Sequence, residues 1–274
     1  MIENSKPLEK QYGFNIETFT TPLGSEVSYC AERGIIVSVK FNGQEVLFLD
    51  EATLQDLKSN VKGGIPVLFP NAGPIPEELK TTELSQLEQH GFARKQKWES
   101  TKTTEGIDSV LRANDETKKN YPYNFELSLI SKFKKDGSFN VVERVENLEA
   151  DKNMPVSFGL HPYFKVSSES KKNIKFNFIG GKFIEENAEK WINGEAVKID
   201  NPNTPMEVII PGLGTLIFTI SPEYKRVWVW SQPGKDFICI EPVMRDKGGI
   251  ITDPQLVKPR EKYSATLNVG FIPE

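Results

Sequence analysis

The stretch Val37-Ser38-Val39-Lys40-Phe41-Asn42-Gly43-Gln44-Glu45-Val46-Leu47-Phe48 decides the fold class. Apolar and polar residues alternate with period two up to Phe41, which puts successive side chains on opposite faces of a strand. Asn42-Gly43 then breaks the run, a pair suited to the two positive φ angles of a type I′ turn, and Val46-Leu47-Phe48 resumes it. A β-hairpin is expected. The same grammar returns where Tyr123, Phe125, Leu127 and Leu129 alternate with polar residues before Asp136-Gly137 and a second run over 139–145. Further short runs follow at 174–178, 206–210, 215–220, 226–230, 237–240 and 263–269, mostly bounded by Gly, Pro, Asn or Ser. Many short strands with turn signals indicate an antiparallel sandwich or barrel. Helical periodicity is confined to 53–57 and 77–88, and no Gly/Ser-rich linker divides the chain, so a single all-β domain over 1–274 is expected. Seventeen Phe and four Trp against four Met suit a broad core between sheets.

Composition narrows the function classes. The 34 basic and 38 acidic residues give a net charge of −4 without long like-charge blocks, so no field gathers nucleic acid or an anionic membrane. A small ligand fits better. The N-terminal residues Met1-Ile2-Glu3-Asn4-Ser5-Lys6-Pro7 lack a leader-like apolar core, and no run reaches the roughly 18 apolar residues of a membrane helix, so a cytoplasmic protein is expected. Cys30 and Cys239, each in an apolar strand-like run, read as buried free thiols with no metal site.

Only two histidines are present, His90 and His161, which narrows the search for proton transfer near neutrality. Each alone reads more readily as a half-buried ring bonded to backbone. The loop Lys62-Gly63-Gly64-Ile65-Pro66-Val67-Leu68-Phe69-Pro70-Asn71-Ala72-Gly73-Pro74 is shaped by three prolines and three glycines, with Lys62 and Asn71 as polar groups able to reach a ligand. It is neither a Walker loop nor a dinucleotide loop, which disfavours nucleotides. Trp228 and Trp230 share a strand face, and at least one reads as plain core although aromatic platforms also stack on sugars. Glu241 ends the apolar run Phe237-Ile238-Cys239-Ile240, where a carboxylate is either structurally hydrogen-bonded or a base of shifted pKa.

Four ordered motifs, 63–70, His90-Gly91-Phe92-Ala93-Arg94, Gly159-Leu160-His161-Pro162-Tyr163-Phe164 and Ile240-Glu241-Pro242, resemble the aldose 1-epimerase (galactose mutarotase-like) family across the whole chain. The resemblance is greatest to the bacterial branch that includes the hexose-6-phosphate 1-epimerases. It implies a large antiparallel sandwich of the mutarotase type that interconverts aldose anomers by ring opening, without a cofactor or metal. By that resemblance Glu241 is the base and His161 the acid, acting from opposite sides of a pocket, while His90 stabilises charge on the sugar oxygens. Asn71, Arg94, Lys62, Tyr163, Trp230 and Gln232 are the implied substrate-binding residues, and the partner is a hexose or hexose phosphate, with the protein a monomer or homodimer. Two departures stand out. The phosphate-using branch has arginine where this chain has Lys62, which keeps the charge but lacks the planar fork. The family's acidic, hydroxyl-orienting residue has no convincing match among Glu185, Glu186 and Asp200. A non-catalytic carbohydrate-binding module, and a lyase or hydrolase on the same sandwich, are the competing readings.

Overall fold

The computed structural model of the chain describes residues 9–80 and 83–274. The stretch 1–7, read above for a leader, lies outside the described residues. Two large antiparallel sheets dominate. The main path of the eleven-stranded sheet runs Glu9–Gln11, Phe14–Thr20, Glu26–Cys30, Ile35–Phe41, Ile65–Leu68, Gly159–Leu160, Phe237–Val243, Arg226–Trp230, Val197–Asp200. Gln44–Glu45 and Tyr163–Lys165 pair with it off that path. The eight-stranded sheet runs Lys175–Asn177, Met206–Ile210, Gly214–Ile220, Lys262–Pro273, Phe139–Asn147, Phe125–Phe133, Gly106–Arg112, Glu99–Lys102. A small third sheet pairs Met154–Val156 with Gln255–Val257.

The first hairpin turns where its sequence requires, but its returning strand is only Gln44–Glu45: the expected run Val46-Leu47-Phe48 leaves the hairpin, with Leu47 bridging Phe164 and the Phe48 N–H donating to the Tyr163 carbonyl. Asn42 and Gly43 take φ of 48° and 88°, and the strands close through Lys40 opposite Glu45 and Phe41 opposite Gln44. Two consecutive positive φ angles are the signature of the type I′ turn, whose twist matches that of the strands it joins. The Asp136-Gly137 turn is longer, because the Asp136 carboxylate accepts from the backbone N–H and the hydroxyl of Ser138. It still joins Phe125–Phe133 to Phe139–Asn147 in register, with Phe133 opposite Phe139.

Period-two burial then builds the core. Along Phe125–Phe133 buried and half-buried residues alternate, and one large apolar cluster draws on both sheets, from Val27 and Val67 to Leu127 and Leu267. Its aromatic centre is Phe69, whose ring lies 5.0 Å from Phe125, 5.7 Å from Tyr121 and 6.5 Å from Phe158. Full burial of each such side chain contributes about 1.5–3 kcal/mol. This cluster anchors the base of the loop that carries the site.

The helices depart most from expectation. The 53–57 signal appears as the α-helix Glu51–Gln55, capped by Asp50, whose carboxylate accepts from the N–H of Thr53. The 77–88 stretch yields a 3-10 turn at Glu77–Leu79, with residues 81 and 82 outside the described set. Short helices at Gly181–Glu186 and Ala188–Ile192, not expected from the sequence, are too brief to establish a 3.6-residue period. Among the described residues, no helix is long and apolar enough to cross a membrane.

Candidate active site

Glu241 projects from Phe237–Val243, a strand buried along its whole length and paired on one side with Arg226–Trp230. On its other side lies the two-residue strand Gly159–Leu160, with Gly159 opposite both Val243 and Leu68. A side chain at 159 would stand 2.8 Å from the Pro242 carbonyl, so glycine lets the strands close and the chain deliver His161 next to Glu241. Nε2 of His161 lies 3.4 Å from Oε1 of Glu241. The two therefore sit side by side. The expectation of an acid and a base facing each other across a pocket is corrected by the short strand between 158 and 161, which ends beside Glu241 rather than opposite it.

His90 arrives by a different route. Its φ of 67° and that of Gly91, 63°, turn the chain back so that Phe69 and Gly91 form a bridge, and the N–H groups of Phe92 and Ala93 both donate to the Phe69 carbonyl. Any Cβ at position 91 would lie 2.0 Å from that carbonyl oxygen. Only glycine fits. A non-glycine residue held at positive φ carries strain that surrounding contacts must sustain, and here they are specific. The Gly73 N–H donates to Nδ1 of His90 at 3.0 Å while the His90 N–H donates to the Gly73 carbonyl at 3.1 Å. With Nδ1 accepting, the neutral ring carries its proton on Nε2. The His90 and His161 rings stand 5.4 Å apart, edge to face.

Burial controls the protonation of this group. It pushes the Glu241 carboxyl up to about 8, against the pull of the Arg94 guanidinium. Burial likewise takes His161 well below the usual imidazole range, with His90 and Arg94 adding to the effect. His90 falls to about 3 through burial and then Arg94. The pair thus holds one proton, on the carboxyl, because neither member of an ion pair would be solvated. Nδ1 of His161 and Oε2 of Glu241 are buried without a hydrogen-bond partner. Free polar atoms of this kind mark a place where another polar group is accommodated.

The substrate-binding residues named from the sequence divide into two groups. Tyr163 stacks on His161 at 4.7 Å, Trp230 meets the same ring edge-on at 5.9 Å, and the Arg94 charge is felt at both histidines and at Glu241. Asn71 is buried nearby, but its amide nitrogen donates to the Gly73 and Glu88 carbonyls, leaving only Oδ1 without a partner. Lys62 and Gln232 are half-buried and bond to one another, Nζ to Oε1 at 3.2 Å. Trp228 is core, packed with Leu68, Ala72 and Val243. Glu185, Glu186 and Asp200 are engaged with Lys175, Lys182 and Arg226, so the acidic, hydroxyl-orienting role has no occupant among them.

Cys239 was missed. Two residues before Glu241 on the same strand face, it brings a thiol within 4.8 Å of ligand atoms on both His161 and Glu241. The period of the strand was the signal that could have found it. Two surface grooves, of about 1180 and about 580 Å³, are lined elsewhere and touch none of these residues.

Comparison with known proteins gives a consistent result. The sequence model of the aldose 1-epimerase family matches residues 25–213. A candidate glucose-6-phosphate 1-epimerase of Cenchrus ciliaris is 22% identical over 272 residues, covering 85% of this chain and 77% of that one. One from Salmonella typhimurium is 27% identical over 167 residues, and there the chain spans about half, 51%, of the relative's length. Among solved structures, the Slr1438 protein from Synechocystis sp. PCC 6803 superposes with a TM-score of 0.83 at 25% identity, both chains being fully covered. The galactose mutarotase related enzyme from Lactobacillus acidophilus gives 0.70 at 19% identity over 94% of this chain and 97% of that one, and shares the fold.

Proposed function

The chain belongs to the aldose 1-epimerase family, and from that premise we propose that it interconverts the α and β anomers of a free hexose, with Glu241 and His161 moving the protons. The observation that carries this reading is the 3.4 Å contact between two buried groups that retain unpartnered polar atoms. Side-by-side placement suits the chemistry. In a hemiacetal the hydroxyl oxygen and the ring oxygen are both bonded to C1, so adjacent groups address both.

With sugar bound, its oxygens replace missing hydrogen bonds and the shared proton passes from the Glu241 carboxyl to His161. Glu241 then removes the proton from the C1 hydroxyl while His161 gives its proton to the ring oxygen. The C1–ring-oxygen bond breaks, its electrons stay on that oxygen, and C1 becomes an aldehyde. Rotation about C1–C2 presents the other carbonyl face, and closure reverses both transfers, so the pair ends with the proton it began with. His90, neutral with Nε2–H as donor, stabilises charge building on the C1 oxygen. Trp230 and Tyr163 form an apolar wall. Acid–base help of this kind is worth about 10² to 10⁴ in rate.

A hexose 6-phosphate is the second reading, favoured by what the grass and Salmonella relatives are named for. Lys62, held by Gln232, is the cation through which it would act. NMR saturation transfer on glucose and on glucose 6-phosphate tests both. Exchange faster than in protein-free solution for glucose is expected. A rate advantage confined to the phosphate and lost in Lys62→Met moves the substrate to the phosphorylated sugar. Binding of either sugar by calorimetry with no acceleration makes the protein a binding module.

A further inference from the structure

We propose that His161, Cys239 and Glu241 together form a binding site for a soft divalent cation of the Zn²⁺ type, whose occupation silences the proton-transferring pair. A ring nitrogen of His161, Sγ of Cys239 and a carboxylate oxygen of Glu241 all lie within 4.8 Å of one another, and all three residues are buried. Zinc bonds of about 2.0–2.3 Å in a tetrahedron set ligand atoms roughly 3.3–3.7 Å apart. The His161–Glu241 separation of 3.4 Å already meets that spacing. The thiol needs to approach by about 1 Å at most, within the range of a side-chain torsion. Its position is set by the strand, since Cys239 and Glu241 are two residues apart and face the same way.

The donor set chooses the metal. One imidazole, one thiolate and one carboxylate suit Zn²⁺, Co²⁺ or Cd²⁺ and disfavour Mg²⁺ and Ca²⁺, which require oxygen ligands. The second nitrogen and second oxygen of the same two groups, Nδ1 of His161 and Oε2 of Glu241, are also buried without a partner, so each group has a further donor atom uncommitted within the protein. Three protein ligands leave the fourth tetrahedral position open for water or a hydroxyl. A dipositive ion also neutralises one thiolate and one carboxylate, removing the unfavourable burial of either charge. The other titratable groups around the three are His90, Arg94, Tyr163 and Lys171. Of these Arg94 and Lys171 carry positive charge and weaken cation binding. The consequence for catalysis rests on the reading of Glu241 and His161 given above. The binding itself does not.

Titration with Co²⁺ under anaerobic conditions, followed by its absorption spectrum, tests the site. One Co²⁺ per chain is expected, with a thiolate-to-cobalt charge-transfer band that Zn²⁺ abolishes by displacement. Cys239→Ala and Cys239→Ser should lose the band and bind at least tenfold more weakly. In the parent protein Zn²⁺ should stop exchange with the same midpoint, reversibly with a chelator, and in Cys239→Ala that concentration should leave exchange intact. A folded parent that shows no thiolate band, or equal Zn²⁺ inhibition in both cysteine variants, overturns the proposal. A thiolate band in a protein that never accelerates exchange keeps the metal site and overturns the epimerase reading instead.

Discussion

Glu143 on the eight-stranded sheet and Glu241 on the eleven-stranded sheet are both carboxyls sealed in apolar strands, 0% and 3% exposed. Burial raises the pKa of each and so favours the neutral acid in both. They differ in what surrounds them. Glu143 accepts the hydroxyl of Tyr224 at 2.6 Å, a partner that burial and Glu143 itself keep protonated. Glu241 meets an imidazole at 3.4 Å, with Arg94, Tyr163 and Cys239 in electrostatic reach. Each carboxyl also keeps one buried oxygen without a partner, Oε1 of Glu143 and Oε2 of Glu241, so a shifted carboxyl with a free oxygen is not a site by itself; it becomes one when its neighbour can take the proton.

The contrast can be broken by exchanging partners. His161→Gln should reduce anomer exchange by about 10² to 10⁴, read by saturation transfer, because the pair loses its second proton position. Tyr224→Phe should leave exchange untouched. Next in size is the pH profile of kcat/KM. The pair works only with one proton between its members, and that proton leaves as Glu241 ionises, so activity should fall as pH rises through about 8. No acid-side fall should appear near 6.5, since His161 is lowered well below that value. A profile that instead rises through 8 would mean that the carboxylate alone does the work.

Smaller effects belong to the other sheet. Tyr224→Phe should cost about 1–3 kcal/mol in urea unfolding by leaving the Glu143 carboxyl without its donor. The smallest is a change of slope. Glu143 has a folded pKa above its ordinary value of 4.5, so its contribution is fully present below that value and is lost as pH rises toward the folded one. Glu143→Gln should flatten the decline of stability above about pH 4.5.

What the sequence disclosed follows from range. Asn42-Gly43 sets a hairpin through two φ angles, and 206–210 and 226–230 coincide with the strands Met206–Ile210 and Arg226–Trp230, because turn chemistry and period two are local. The helices at Gly181–Glu186 and Ala188–Ile192 were illegible, their apolar anchors Ile184 and Trp191 being too few to show a period. The site was legible as an ordered set of motifs and not as geometry. Nothing near His161 or Glu241 in sequence states that Gly159 pairs with Val243, and that pairing makes the two side chains neighbours. The approach of His90 depends on Gly91 fitting against the Phe69 carbonyl, a contact between distant segments. Asn71 shows the converse: read as a polar group able to reach a ligand, its amide nitrogen is already committed to two carbonyls.

The most direct test sets the two buried glutamates against one another in a single assay. Glu241→Gln and Glu143→Gln, each verified to unfold cooperatively, are compared by saturation transfer between the anomers of glucose and of glucose 6-phosphate. Exchange should drop to the protein-free rate in Glu241→Gln and persist at the parent rate in Glu143→Gln. Parent-level exchange in a folded Glu241→Gln protein would contradict the assignment of proton transfer to the Glu241–His161 pair.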